Sequence, residues 1–307
     1  MKTMKKIISI LITAAILFCL FSSCGRQKGK IIFPEDELLA GYRSEKDLEM
    51  EMIRDAGRIK AVHFHRGDTE VYGEIYLPEG DGPFPVIVIS GGFATSHYAY
   101  QGMASMYSEN GIIGVVYDPS DMGDMGADPY DFIEWSVLKE AADIESIISA
   151  LSKLPYVDDD NIFLWGHSMG GFASAYVGFR NPDLIKGMIL VEPAFYLNED
   201  AKEQFPDIDK IPEIVPGDRI FGRSFYKDLC SFDIYEYMPD YDRNILLFAG
   251  TLSPSIGADM PELIERAEKS LPSCKTIYQK GADHYFNGMP MLFVIDYSID
   301  FVEDNMQ

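Results

Sequence analysis

Basic residues are scarce in this chain. Lysine and arginine together number 26 against 49 acidic residues, a net charge of −23. A nucleic-acid partner requires a basic face, so that class of function is disfavoured and the acidity reads as solubility. Cysteine is nearly absent. Of four in 307 residues, Cys19 and Cys24 lie near the N-terminus, leaving Cys230 and Cys274. Two cysteines are no disulfide framework; they either pair or stay as buried free thiols. Histidine is rare as well, with five in all. His63 and His65 form an H-x-H pair on one face of an expected strand, but no third ligand accompanies them, so no metal site is expected. Internal repeats are missing.

An apolar run does occur at the N-terminus. Lys2, Lys5 and Lys6 precede an almost unbroken apolar stretch from Ile7 to Phe21. It is short for a bilayer-spanning helix and suits a signal peptide over residues 1–23. Phe21-Ser22-Ser23-Cys24-Gly25 then resembles a bacterial lipobox, with Phe21 where leucine is usual. Cleavage before Cys24 would make that residue a lipid anchor holding the protein to the extracytoplasmic face of a membrane. Plain secretion and an uncleaved anchor are the alternatives. Removing three lysines would leave the mature chain still more acidic, so attachment would come from the lipid rather than from attraction to anionic headgroups.

The rest is well supplied for burial, at 47% hydrophobic and 13% aromatic. Residues 24–58 read as a tether followed by a helix near 44–57, from Ser44-Glu45-Lys46-Asp47 and the spacing of Leu48, Met52 and Ile53. Ile59 to His65 and Glu70 to Leu77 alternate about the turn Arg66-Gly67-Asp68, as an antiparallel hairpin does. Beyond them apolar runs alternate with helical ones. Strands are expected at Val86 to Ile89, Ile112 to Tyr117, Asn161 to Trp165, Met188 to Val191, Ile245 to Ala249 and Lys275 to Tyr278. Fully apolar strands alternating with helices make an α/β fold, a doubly wound, mostly parallel sheet over residues 59–307. Between Pro193 and Arg243 lie some fifty residues rich in proline, aspartate and aromatics. That is too long for an ordinary loop, and it reads as an inserted cap or as a packed excursion.

One short stretch organises the chain: Gly166-His167-Ser168-Met169-Gly170. It follows an apolar strand and precedes a small-residue helical run. In that setting G-x-S-x-G is a nucleophile elbow, in which a sharp turn lifts the serine oxygen clear. Glycines at both ends avoid clashes, and the helix directs free N–H groups at the place where negative charge would develop.

With Ser90-Gly91-Gly92-Phe93 after the first buried strand and Gly281-Ala282-Asp283-His284 after the last, the chain resembles the α/β-hydrolase superfamily over about residues 59–305. Within it, the chain looks most like the cinnamoyl/feruloyl esterase and dienelactone hydrolase-like serine esterases. The resemblance implies Ser168 as nucleophile and His284 as its base, last in chain order. It also implies backbone N–H groups of Phe93 and Met169 as oxyanion donors, a small-molecule ester substrate and no cofactor. His167 adjoins the serine and should point away from it. His97 is a candidate for the pocket mouth. Asp118 and Asp121 match acids that order a loop in the superfamily, and Asp283 is badly placed to orient its neighbour. In the cap, Phe195, Tyr196, Phe221, Phe225 and Tyr226 are candidates for an aryl or acyl pocket.

The triad acid departs from the pattern. After the next-to-last strand the superfamily commonly has G-x-x-D, whereas this chain reads Gly250-Thr251-Leu252-Ser253. A serine cannot hold an imidazolium as a carboxylate does. Glu192, at the end of the preceding strand, is the first candidate to replace it, and Asp259 is the second. The third possibility is that no acid serves. The functions open at this point are ester hydrolysis, peptide or other acyl hydrolysis on the same fold, and a non-catalytic lipoprotein that keeps the pocket for a ligand.

Overall fold

The segments that read as apolar runs supply the middle of a nine-stranded sheet. The structure, a computed structural model, describes residues 33, 35–43, 49–122, 132–217, 219–253 and 260–306. Two units divide the chain, Met1–Phe33 and Pro34–Gln307; only Phe33 is described in the first, so the signal segment and Cys24 lie outside the described residues.

The strands are β1 (Met50–Ala56), β2 (Ile59–Arg66), β3 (Thr69–Tyr76), β4 (Phe84–Ser90), β5 (Ile113–Tyr117), β6 (Val157–His167), β7 (Gly187–Val191), β10 (Asn244–Gly250) and β11 (Cys274–Gln279), with a two-stranded ribbon β8 (Ile214–Val215) and β9 (Phe221–Gly222) apart from them. The main sheet runs β1-β2-β3-β5-β4-β6-β7-β10-β11. From β5 to β11 neighbours are parallel; β1, β2, β3 and β5 pair antiparallel. The helices are α1 (Asp36–Tyr42), α2 (Gln101–Glu109), α3 (Val137–Leu151), α4 (Ser168–Arg180), α5 (Leu197–Gln204), α6 (Arg223–Cys230), α7 (Met260–Ser270) and α8 (Met289–Asn305).

This is the doubly wound sheet expected of the sequence, and the fully buried strands β5 and β7 show why their runs are apolar without alternation. One core cluster fills the space between the sheet and helices α2 and α8, around Trp165, Phe163, Tyr107 and Phe286. On α3, Ser136 caps the first turn by accepting from the Lys139 N–H at 3.2 Å, a cap worth about 1 kcal/mol. A buried ion pair ties three segments together. Arg66 Nε, at the end of β2, donates to Asp143 Oδ1 on α3 at 2.7 Å, and Ser120, after β5, donates to Asp143 Oδ2 at the same distance.

The helix expected near 44–57 is not there. Residues 44–48 lie outside the described residues, Met50–Ala56 is strand β1, and a helix stands earlier, at Asp36–Tyr42. The helical spacing misled because this segment buries little: Met52 and Ile53 are 41% and 48% exposed. Its conformation comes from backbone pairing with the open edge of β2, from Met50 opposite Phe64 to Ala56 opposite Ile59. Pairing of that kind leaves no side-chain period to read. The hairpin is therefore a three-stranded meander.

Parallel pairing brings the carboxyl ends of β4, β6, β7 and β10 level. Ser90 lies beside Gly166, His167 beside Val191 and Val191 beside Phe248. In open α/β sheets this edge is where ligands bind.

Candidate active site

Ser168 opens α4 directly from the end of β6 with φ 53°, a left-handed conformation that costs a non-glycine residue about 1–2 kcal/mol. The flanking glycines are needed for close approach. A Cβ on Gly166 would lie 2.5 Å from the Gly170 carbonyl oxygen, and one on Gly170 would lie 2.2 Å from that of Gly91. Of the other non-glycine residues with positive φ, Ala94, Glu192 and Phe286 stand in segments bordering the same edge. Strain concentrated in this way is characteristic of functional sites.

The sequence-expected partners converge here. His284 Nε2 is 3.0 Å from Ser168 Oγ, and His284 Nδ1 is 3.3 Å from Glu192 Oε2. All three side chains are buried, Glu192 completely. Glu192 follows β7, where its own N–H donates to the Phe248 carbonyl. Its Oε1 accepts from the Gly250 N–H at 2.5 Å, and its Oε2 accepts from the Ser253 hydroxyl at 2.7 Å. The serine found where an acid is usual thus donates to the carboxylate that lies behind the histidine. Asp259, the second candidate acid, lies outside the described residues.

His167 does more than point away from the serine. Its Nε2 lies 2.7 Å from the His284 carbonyl oxygen, which can only accept, so Nε2 carries the proton. Nδ1 then accepts from the Tyr100 hydroxyl at 3.4 Å, and that hydroxyl accepts from the Gly92 N–H at 3.2 Å. Burial pushes the His167 pKa down to about 4, so the ring is neutral and the tautomer fixed. The chain of contacts links the turn after β4, the elbow and the histidine loop. A strand-end histidine beside a serine gave no sign of this in the sequence.

Gly92 sits against the elbow, where a Cβ would lie 3.6 Å from Ser168 Cβ and 2.8 Å from His167 Nδ1. Phe93 follows it and borders the same space as Ser168. Met169 is the second residue of α4, so its N–H has no acceptor within the helix.

Two lobes meet at Ser168. One, of about 630 Å³, is lined by Gly92, Tyr100, Met103, His284, Phe286 and Leu292 among others. The other, of about 310 Å³, is lined by Met169, Tyr196, Asp200, Phe221, Phe225 and Tyr226 among others. Phe93, Ser168 and Arg219 border both. Residues 193–243 therefore wall one side of the site, with Phe221 and Phe225 stacked at 4.2 Å between ring centroids. Phe195 is not among the lining residues; it is fully buried against Tyr235.

Other candidates lie apart from Ser168. His97 is 4% exposed and lines neither lobe. Asp118 takes its backbone N–H at 2.8 Å and its ring Nδ1 at 2.7 Å, tying the loops after β4 and β5 together. Asp121 pairs with Lys139 at 3.2 Å. The Asp283 carboxylate accepts from the Tyr285 N–H. His63 and His65 face Glu70 and Glu51 on neighbouring strands. Cys230 and Cys274 are free thiols. Among the described residues no helix is long and apolar enough to cross a membrane.

Known proteins carry the same arrangement of chain. A family model described as Serine aminopeptidase, S33, matches residues 81–292. Among curated proteins, Esterase FrsA of Shigella boydii is 22% identical over 151 residues, covering 48% of this chain and 34% of the relative; the chain thus spans about a third of the relative's length. Esterase FrsA of Klebsiella pneumoniae is 21% identical over 171 residues, 55% of this chain and 39% of the relative. Among solved structures, Est1E from Butyrivibrio proteoclasticus superposes with TM-score 0.68 at 18% identity, covering 80% of this chain and 98% of that one. Acetyl xylan esterase from Paenibacillus sp. R4 superposes with TM-score 0.64 at 15% identity, covering 88% and 92%. At such identities the structural likeness establishes the α/β-hydrolase fold.

Proposed function

Because the chain belongs to the family described as Serine aminopeptidase, S33, we propose that it is a serine hydrolase that cleaves carboxylic esters through an acyl-enzyme. In this reading His284 carries its proton on Nδ1, towards Glu192, and Nε2 accepts from Ser168. Ser168 Oγ attacks the ester carbonyl carbon and its proton passes to Nε2. Glu192 stabilises the imidazolium and holds the ring. The backbone N–H groups of Phe93 and Met169 take the negative charge on the carbonyl oxygen, where such donors are worth about 3–4 kcal/mol each. The intermediate collapses, and the departing alkoxide takes the proton from Nε2. Water, deprotonated by His284, then releases the carboxylic acid and restores Ser168. This chemistry calls for no cofactor.

The observation that supports the reading most is the 3.0 Å approach of His284 to Ser168 with a buried carboxylate 3.3 Å behind the ring. The lobes suggest how an ester lies. His284 borders only the larger lobe and protonates the leaving oxygen, so the alcohol half belongs there. Met169 and the cap aromatics border the smaller lobe, which takes the acyl half. Residues 193–243 act as the cap. An aminopeptidase substrate carries its ammonium on the acyl half, and Asp200 in the smaller lobe is a carboxylate that would face it, so peptide hydrolysis is the second reading. Export with a lipid on Cys24 is part of the proposal and rests on the sequence; a clickable palmitate analogue incorporated by the wild type and not by Cys24→Ala supports it.

The test is hydrolysis of 4-nitrophenyl acetate. The wild type should turn over and Ser168→Ala should lose at least about 10³ in kcat. A folded wild type with no turnover on short aryl esters overturns the proposal.

A further inference from the structure

Arg219 stands at the junction of the two lobes. Its guanidinium lies over the ring of Phe93, 5.8 Å from the centroid, and 6.0 Å from that of Phe132. It is also unlike the other described arginines. Arg43, Arg54, Arg58, Arg66, Arg180, Arg223, Arg243 and Arg266 each have a carboxylate within 4.0 Å, while among the described residues no carboxylate pairs with Arg219. In a chain with net charge −23, an arginine without an acid beside the candidate nucleophile calls for an explanation. Arg219 is exposed, and its cation–π contacts with Phe93 and Phe132 occupy none of its N–H donors, so the guanidinium fork that binds carboxylates in bidentate fashion is available to a ligand. Among the described residues, Arg219 is the sole lysine or arginine lining either lobe. The acidic residue of the pair of lobes, Asp200, lines only the smaller one.

We propose that Arg219 selects ester substrates whose alcohol half carries a carboxylate, held in the larger lobe beside His284. The proposal rests on the ester-hydrolase reading. The alcohol half is the one to carry the charge because no acid stands among the described residues lining the larger lobe, whereas an anion on the acyl half would face Asp200. Phe93 links the two functions, since its ring supports Arg219 and its N–H is an expected oxyanion donor. Binding the anion would therefore press the turn after β4 into place next to the reacting carbonyl.

The experiment compares 4-carboxyphenyl acetate with its neutral isostere 4-carbamoylphenyl acetate. The wild type should favour the carboxylate in kcat/KM by roughly tenfold, the range of an exposed charge-assisted contact, chiefly through KM. Raising the salt from 0.05 to about 1 M should shrink the ratio as the Debye length falls to about 3 Å. Arg219→Gln should bring the ratio to about one or below, and Arg219→Lys should recover part of it. Reading a ratio within each variant keeps a folding defect from imitating the effect. A wild-type ratio near one, a ratio unchanged in Arg219→Gln, or a preference confined to phenyl hydrogen succinate over phenyl butyrate overturns the inference. Failure of the wild type to hydrolyse any of the four esters would instead count against the ester-hydrolase reading itself.

Discussion

Replacing Glu192 by glutamine should cost most of the activity and little of the fold. The carboxylate receives three donors on two oxygens: the Gly250 N–H on Oε1, and the Ser253 hydroxyl and His284 Nδ1 on Oε2. Glutamine offers one oxygen and one NH₂. If the oxygen takes the Oε1 position it keeps the Gly250 N–H, and the NH₂ faces Ser253 and His284. The Ser253 hydroxyl can turn and accept. His284 can accept only by giving up its Nδ1 proton, which places the proton on Nε2, and Nε2–H cannot take a proton from Ser168. If the amide is flipped, its NH₂ confronts the Gly250 N–H in a fully buried position, at a cost of about 1–3 kcal/mol. Either way the negative charge that stabilises the imidazolium is gone. The expected loss is on the order of 10⁴ in kcat, about 5.5 kcal/mol of transition-state stabilisation, with KM changed by less than about threefold. Steady-state hydrolysis of 4-nitrophenyl acetate measures it, with circular dichroism as a check on folding. Turnover of a folded Glu192→Gln within tenfold of the wild type refutes the reasoning.

Other perturbations follow from the same geometry. Ser253→Ala removes one of the two donors on Glu192 Oε2 and should lower kcat about tenfold; in the Glu192→Gln background, Ser253→Asp should raise kcat again by about tenfold as a carboxylate returns beside His284, and no gain would mean that position 253 cannot reach the ring. Gly92→Ala brings a Cβ to 2.8 Å from His167 Nδ1, and the displacement it forces should reduce kcat by about 10² and cost about 1–3 kcal/mol of stability; wild-type kcat with an unchanged melting temperature would show that the turn has room to spare. Burial raises the Glu140 pKa to about 8, so the folded protein holds that proton where the unfolded chain releases it above about 4.5. The stability this contributes is complete below pH 4.5 and is lost as pH rises towards 8. Glu140→Gln should therefore raise the melting temperature more at pH 8 than at pH 5, and an equal shift at both values would contradict the assignment.

Much of the fold was legible because parallel, doubly covered strands must be apolar throughout. Val86-Ile87-Val88-Ile89 and Met188-Ile189-Leu190-Val191 admit few other readings. The elbow was legible because a strained turn admits only glycine where backbones nearly touch. Ser168 and His284 were readable for the same local reasons, since each is held by a short motif at a strand end. The position of Ser253 showed that the usual acid was missing, and chain order pointed to Glu192. That Ser253 donates to the same carboxylate was beyond sequence reasoning, because the contact joins residues 61 positions apart. Strand β1 was misread because an exposed edge strand is held by its backbone. His167 and Arg219 were missed for a third reason. A histidine that braces a loop and an arginine without an acid acquire their meaning from what surrounds them in space, and neither belongs to a pattern.

The central claim is that Ser168 is a nucleophile activated by His284. Reaction with a fluorophosphonate, followed by peptide mass analysis, tests it most directly. The account predicts one adduct per chain, on the peptide bearing Ser168, formed much more slowly in His284→Ala and not at all in Ser168→Ala. A folded wild-type protein that forms no adduct, or forms it at a residue other than Ser168, would contradict the account.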